Sequence, residues 1–324
     1  MMRILLTTTS YQDTPGKHHD LLDNCSHEIV RARGPLTETE MINLVEQYGG
    51  FDGLLNGDDE ITSTYIDVAL NAPTPLKVIS KYGIGLDSID VDYATYKKIP
   101  VLFTPGVNHT TVAEHTIGLM IALSKHFWIH MNACKHGEWT RVTGNELCGK
   151  TIGIMGLGRV GKALTERVRA FGMNVIGYDL YWDNEFANMH NIKRAQSFDE
   201  ICTNADVISL HMNLSDETRN LINAESIAKM KDGVMIVNTA RGGIVVDQDI
   251  ADACKRGKVS GYGTDVMTHE PMEKNHIFRE VDNIIMTPHV GSRTSESVQR
   301  QAVRATKNIL NYLAGVEDFI QANV

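Results

Sequence analysis

The chain opens on a short apolar run, Arg3 to Thr8, with strand character. A second run spans His27 to Arg31. Thr37-Glu38-Thr39-Glu40 then reads as a capping box, in which the Thr37 hydroxyl accepts from a free backbone N–H and Glu40 reaches back. The helix it starts runs to about Tyr48, where Gly49-Gly50 stops it. The pattern then predicts a strand over 51–56, a helix over 61–71, a strand over 76–80, a helix over 91–98 and a strand over 101–103. Thr104-Pro105-Gly106 breaks the series, and a long helical pattern covers about 110–136. A polar loop over 145–149 leads to a second alternating series, with strands predicted over 151–155, 174–178, 206–211, 233–238, 260–264 and 283–286. A final helix spans about 295–313.

Strand–helix alternation implies parallel sheets built from right-handed βαβ units, and two such series imply two domains. A length of 324 residues suits that division, and 42% hydrophobic content excludes disorder over the whole chain. The net charge of −9 argues against a broad basic face for nucleic acid. No apolar run reaches membrane-spanning length: Ile117 to Leu123, the best candidate, is ended by Lys125 and His126. The apolar start is too short for a signal peptide, so a cytoplasmic protein is expected. Five scattered cysteines without a CxxC fit reduced thiols. His109, His115, His126 and His130 suggest a metal by number alone. Only His126 and His130 fall at i, i+4 and no third ligand is indicated, so no metal is expected.

Gly156-Leu157-Gly158-Arg159-Val160-Gly161 has the pattern GxGxxG between a predicted strand and a predicted helix. Gly156 permits the tight turn, Gly158 lets backbone approach a pyrophosphate, and Gly161 lets helix and strand pack closely. The helix N-terminus offers free N–H groups to the phosphates. Asp179 lies 18 residues beyond Gly161, near the roughly 20 expected of a residue that accepts from a ribose 2′-hydroxyl. Its charge would repel a 2′-phosphate, and no basic residue follows in Leu180-Tyr181-Trp182, which favours NAD over NADP.

In an open parallel sheet, ligands bind beyond the carboxyl ends of the strands. Thr239-Ala240-Arg241, Asp265 with Glu270, and Thr287-Pro288-His289 follow three predicted strands there. Such a set suits hydride transfer to a 2-oxo acid. Arg241 offers a permanent planar cation for the carboxylate and the polarised carbonyl. His289 can exchange a proton with the substrate oxygen near neutral pH. Glu270 can fix its tautomer and stabilise its charged form.

With these residues the chain resembles the NAD-dependent D-2-hydroxyacid dehydrogenases, which include phosphoglycerate dehydrogenases and glyoxylate/hydroxypyruvate reductases. The resemblance covers nearly the whole chain. It is carried by Lys81-Tyr82-Gly83-Ile84-Gly85-Leu86-Asp87, Val112-Ala113-Glu114-His115, the glycine turn with Asp179, Asn238-Thr239-Ala240-Arg241-Gly242-Gly243 and Thr287-Pro288-His289-Val290-Gly291. It implies an α/β fold of two doubly wound parallel-sheet domains, with a Rossmann NAD-binding domain over 105–290 inserted in a flavodoxin-like substrate domain over 1–104 and 291–324. It implies catalytic roles for Arg241, Glu270 and His289, and a place for Asp265 at the nicotinamide amide. Arg159 and Val160 would meet the pyrophosphate, with further cofactor contacts at His211, Met212, Asn213, Thr239, Ala240 and Gly291. The backbone of Tyr82, Gly83, Ile84 and Gly85 would hold the substrate carboxylate. A homodimer joined through the cofactor domain is also implied. Two departures stand out. His211-Met212-Asn213 replaces the His-x-Pro of many members, adding a donor and acceptor near the expected adenine pocket. The chain also ends soon after the last helix, so the regulatory C-terminal domain of longer phosphoglycerate dehydrogenases is not expected.

The expected activity is therefore interconversion of a 2-oxo acid and a D-2-hydroxy acid with NAD. The competing class is an NAD-sensing scaffold resembling transcriptional corepressors, against which the intact catalytic set argues. Substrate identity stays open between phosphohydroxypyruvate, glyoxylate or hydroxypyruvate, and a larger substituted acid. Lys81 is either a ligand for a second anionic group or a solvated lysine at a strand end. Tyr82 either shapes the pocket or packs, and Trp128, Met131 and Trp139 either pack or form a lid.

Overall fold

The computed structural model describes residues 1–323, which form two compact units. One comprises Met1–Asn108 and the residues from Arg293 on; the other is His109–Ser292. In chain order the first contains β1 (Arg3–Leu6), α1 (Thr9–Asp13), α2 (His18–Asp23), β2 (Glu28–Arg31), α3 (Glu38–Tyr48), β3 (Gly53–Asn56), α4 (Ser63–Asn71), β4 (Val78–Lys81), α5 (Val91–Tyr96) and β5 (Val101–Leu102). Its five strands are all parallel, in the order β2-β1-β3-β4-β5, the flavodoxin-like arrangement. The predicted capping box starts α3: the Thr37 hydroxyl accepts from the Glu40 N–H, the Glu40 carboxylate accepts in return, and Gly49 ends the helix at φ +71°.

The second unit contains α6 (His109–Ser124), α7 (Phe127–Lys135), β6 (Thr151–Met155), α8 (Arg159–Ala170), β7 (Asn174–Tyr178), α9 (Asn184–Met189), β8 (Lys193–Arg194), α10 (Phe198–Asn204), β9 (Val207–Leu210), α11 (Ala224–Lys229), β10 (Val234–Asn238), α12 (Asp247–Lys255), β11 (Val259–Thr264) and β12 (Ile284–Met286). The seven strands run parallel in the order β12-β11-β10-β9-β6-β7-β8. That is a Rossmann sheet with one further edge strand. The chain then returns to the first unit through α13 (Ser295–Ala314). Its buried Val298, Ala302, Ala305 and Ile309 pack with Ile4, Leu6, Leu55 and Val78, and the Ser80 hydroxyl donates to the Ala305 carbonyl at 2.9 Å.

Alternate strand residues feed opposite faces. Leu5, Leu54 and Ile79 pack under α3 and α4, while Ile4, Leu55 and Val78 face α13. In the second unit Val207 joins the face of α6 and α8, and Ile208 that of α10 and α12. Strands buried on both faces explain the continuous apolar runs along the chain.

Three differences from the sequence reading have physical causes. The helical pattern over 110–136 is two helices, α6 and α7, separated at His126, which adopts φ +51°. The Ser124 carbonyl accepts from the distant Asn145 N–H at 2.7 Å instead of continuing the helix. No glycine or proline marks that break. The edge strand β8 is only two residues long and charged, so it carries no apolar signal. The short helices α1 and α2 likewise fall below the length at which a period is readable. Among the described residues no helix is long and apolar enough to cross a membrane, and no cluster of His, Cys, Asp or Glu could hold a metal ion.

Candidate active site

In the second sheet the strand order reverses between β6 and β9, which opens a crevice beyond their carboxyl ends. The glycine turn fills one side. Gly156 lies at φ +94°, and a Cβ there would meet the His211 carbonyl carbon and oxygen at 2.9 Å and the Met212 N at 3.0 Å. A Cβ on Gly161 would strike the Gly156 carbonyl oxygen at 2.1 Å, so α8 can approach β6 only with glycine there. Around Gly158 a Cβ would meet nothing within 4 Å. Gly158 is the N-cap of α8 and supplies no side-chain cap, so the first N–H groups face an open cradle. Arg159 is exposed and Val160 half-buried beside it.

Asp179 closes the turn. Its carboxylate accepts from the Leu157 N–H at 2.6 Å and from the Tyr181 N–H at 2.7 Å, and each oxygen keeps a lone pair for a further donor. Open glycine backbone, an uncapped helix N-terminus and a fixed carboxylate fit a dinucleotide's phosphates and ribose. Across the crevice the His211 ring pairs with the Ser209 hydroxyl at 2.7 Å, and burial pushes its pKa down to about 3, so it is neutral. Met212 is half-buried and Asn213 exposed; the Asn213 carbonyl accepts from the Thr218 hydroxyl. The unforeseen β8 places the Arg194 guanidinium 5.2 Å from the Trp182 ring centroid, so a cation does lie near the residues that follow Asp179.

Three loops at the exits of β10, β11 and β12 are tied together by buried polar groups. Asn238, fully buried, donates to the Arg241 carbonyl at 2.8 Å and accepts from the Ala240 N–H at 3.0 Å, so one side chain shapes the Thr239-Ala240-Arg241 turn. Gly242 packs backbone to backbone against Met267: a Cβ would lie 2.0 Å from the Met267 carbonyl carbon. That contact brings the Arg241 turn beside the Glu270 loop. Glu270 accepts from the Met267 N–H at 2.8 Å through one oxygen and pairs with His289 Nδ1 at 2.7 Å through the other.

Asp265 organises the third loop. It is 3% exposed. Its carboxylate accepts from the Thr287 hydroxyl at 2.6 Å, the Val290 N–H at 2.9 Å and the Gly291 N–H at 2.7 Å, with His115 Nε2 at 3.4 Å. Its carbonyl accepts from the His289 N–H at 2.8 Å. Burial raises its pKa, but the donors from His115, Thr287, Val290 and Gly291 outweigh burial and hold it below the usual carboxylate range. These bonds clamp His289 in a left-handed backbone conformation, φ +51°, uncommon for a side chain of this size.

The second unit thus brings together Arg241, Glu270, His289, Asp265 and Gly291 at one edge. His115, Thr287 and Asn238 complete the frame. They lay inside the recognised motifs, but only the fold reveals that they brace the loops. Thr239 is joined to α6 through Thr116, hydroxyl to hydroxyl at 2.9 Å.

In the first unit, Tyr82 to Gly85 follow β4. Gly83 lies at φ +134° and is braced by Thr104, whose hydroxyl accepts from the Gly83 N–H at 3.0 Å and whose own N–H donates to the Gly83 carbonyl at 2.9 Å. Ile84 and Gly85 are at least partly exposed, and among the described residues no backbone carbonyl takes up their N–H groups. The Tyr82 side chain is buried, and burial pushes its phenol up to about 12. Lys81 is not the solvated lysine of one sequence reading: it is 2% exposed, and its ammonium donates to the Gly57 carbonyl and pairs with Asp58 at 2.7 Å.

Residues 117–291 match the model of the D-isomer specific 2-hydroxyacid dehydrogenase NAD binding domain. A D-3-phosphoglycerate dehydrogenase of Methanocaldococcus jannaschii is 36% identical over 317 residues, which cover 97% of this chain but 58% of that enzyme. A hydroxypyruvate reductase of Thermotoga maritima is 39% identical over 258 residues, covering 78% of this chain and 82% of the relative. A D-lactate dehydrogenase of Aquifex aeolicus, solved with NAD and lactic acid, superposes with a TM-score of 0.82 at 29% identity over 96% of both chains.

Proposed function

The chain belongs to the D-isomer specific 2-hydroxyacid dehydrogenase family, and from that premise we propose that it reduces a 2-oxo acid to the D-2-hydroxy acid, or runs the reverse, with NAD. The observation that carries this reading is the Glu270–His289–Asp265 arrangement, in which a histidine is paired through Nδ1 and its loop is clamped.

Arg241 engages the substrate carboxylate and the carbonyl oxygen, so its charge grows more valuable as negative charge develops there. Glu270 accepts a hydrogen bond from the Nδ1–H and stabilises imidazolium, which directs proton exchange to Nε2. His289 then gives the Nε2 proton to the ketone oxygen, or takes it back in oxidation. The dinucleotide, when bound, supplies or accepts the hydride. Gly158, Arg159 and Val160 would hold its pyrophosphate, Asp179 its ribose, and His211 to Asn213, Thr239, Ala240, Asp265 and Gly291 the remainder. The N–H groups of Ile84 and Gly85, on the loop from Tyr82 through Gly83, orient the substrate carboxylate.

The same reading includes a homodimer joined through the second unit. Phe127, Met131, Trp139 and Val142 stand exposed along α7 and the segment after it, an apolar set that a second copy would cover. Five free thiols suit a reducing compartment, the cytosol. The test is NADH and NADPH oxidation by purified protein with glyoxylate, hydroxypyruvate, phosphohydroxypyruvate, pyruvate and oxaloacetate. NADH-dependent turnover of one of them is expected. NADH binding with no turnover of any would replace the enzyme reading with a sensing role.

A further inference from the structure

The first sheet has its own switch point, between β1 and β3, where a doubly wound sheet ordinarily opens a ligand crevice. Here the chain's own charges occupy it. Thr7 and Thr8 leave β1, and Asn56 to Asp59 leave β3. Asp59, fully buried, accepts from the Thr7 hydroxyl, from the Leu36 N–H at 2.8 Å and from the Gly57 N–H at 3.1 Å. Lys81, at the end of β4, spends its ammonium on the Gly57 carbonyl and on Asp58, and its charge also faces Asp59. Glu60 follows and accepts from the Glu38 N–H at 2.9 Å.

This cluster adjoins the Tyr82–Gly85 loop directly. The Tyr82 N–H donates to the Asn56 carbonyl at 2.9 Å, and a Cβ on Gly83 would lie 3.6 Å from Lys81 Cε. Residues 56–90 hold two lysines and no arginine: Lys77, whose ammonium pairs with Asp52 at 2.8 Å, and Lys81, already neutralised against two carboxylates. The polar atoms left over at these strand exits are neutral: Thr8 Oγ1 and Asn56 Oδ1 are buried without a partner. An added phosphate or second carboxylate would meet a sequestered cation together with the Asp58 carboxylate that holds it.

Resting on the proposed activity, the geometry points to a substrate class: a 2-oxo acid whose group at carbon 3 carries no charge. Asp58 and Lys81 act as a specificity lock against phosphorylated and dicarboxylic acids, and Lys81 is not a phosphate ligand.

The experiment compares kcat/KM with NADH for hydroxypyruvate, phosphohydroxypyruvate and oxaloacetate, in the wild type and in Asp58→Asn. Hydroxypyruvate is expected to exceed both anionic acids by at least about tenfold, with the ratio narrowing several-fold in Asp58→Asn as Lys81 is released. Preference for either anionic acid, or a ratio indifferent to Asp58→Asn, would overturn the lock. Calorimetric binding of D-glycerate and 3-phosphoglycerate to the NADH-loaded protein, in which the reduced cofactor cannot accept a hydride, gives a readout without turnover. Glycerate at least as tight supports the inference; phosphoglycerate clearly tighter overturns it. Lys81→Met covers a poorly folding Asp58→Asn: selective loss of phosphoglycerate binding would make Lys81 the phosphate ligand and end the proposal. Absence of turnover with every acid would sink the proposed activity and leave the binding arm to decide the lock.

Discussion

Two doubly wound sheets in one chain treat their switch points in opposite ways. In the second unit, the crevice between β6 and β9 is kept clear by Gly156 and Gly158, and its fixed charge, Asp179, stands at the rim. In the first, the corresponding crevice between β1 and β3 is filled by Asp59, Thr7 and Lys81. Each unit also buries one carboxylate at its strand exits. Burial raises Asp59, and the Thr7 hydroxyl, the Leu36 N–H, Lys81 and the Gly57 N–H only partly offset it. Burial raises Asp265 as well, yet its donors win and its pKa falls. Architecture therefore supplies the location of a site, while the local donor set decides whether a ligand or the protein itself occupies it.

The largest effect should come from removing the clamp. Asp265→Ala strands the Val290 and Gly291 N–H groups and should cost about 3–5 kcal/mol of stability, read by denaturant unfolding, with loss of turnover. Next, Arg241→Ala should lower kcat/KM by about 10²–10³-fold while NADH binding holds. Asp179→Ala should weaken NADH by about tenfold or more and shrink the preference over NADPH, because a charged acceptor is lost beside Arg194. If NADH affinity stayed unchanged, the open crevice would not be the dinucleotide site.

The two carboxylates should also respond to pH with opposite sign. The depressed pKa of Asp265 gives stability that is present above the ordinary carboxylate pKa and lost as pH falls through the folded value. The raised pKa of Asp59 gives stability that is full below the ordinary value and lost as pH rises through the folded one. From pH 3 upward, the stability deficit of Asp265→Asn should therefore grow and that of Asp59→Asn shrink. Equal trends would erase the contrast. The smallest effect is Thr37→Ala, about 1 kcal/mol of stability from the α3 cap, with kcat unchanged.

Most of this was legible in local signals. The glycine turn, the α3 capping box and the polar residues at strand exits each announce themselves within a few positions. What escaped depends on distant partners. Asn145 ends α6 from 21 positions beyond Ser124. β8 is too short and charged to carry a period. His115 and Thr287 brace a carboxylate far away in the chain. Lys81 shows the limit best: its neighbours in sequence suggested either a solvated or an anion-binding lysine, and only the β3 exit reveals Asp58 as its partner.

The central claim is that the second unit's edge does the chemistry through His289, and the most direct measurement is His289→Ala with both turnover and NADH affinity recorded. A fall in kcat of about 10²–10⁴-fold, with NADH affinity within about twofold of wild type, is the predicted result. Retained turnover, or turnover lost only in step with NADH binding, would contradict it.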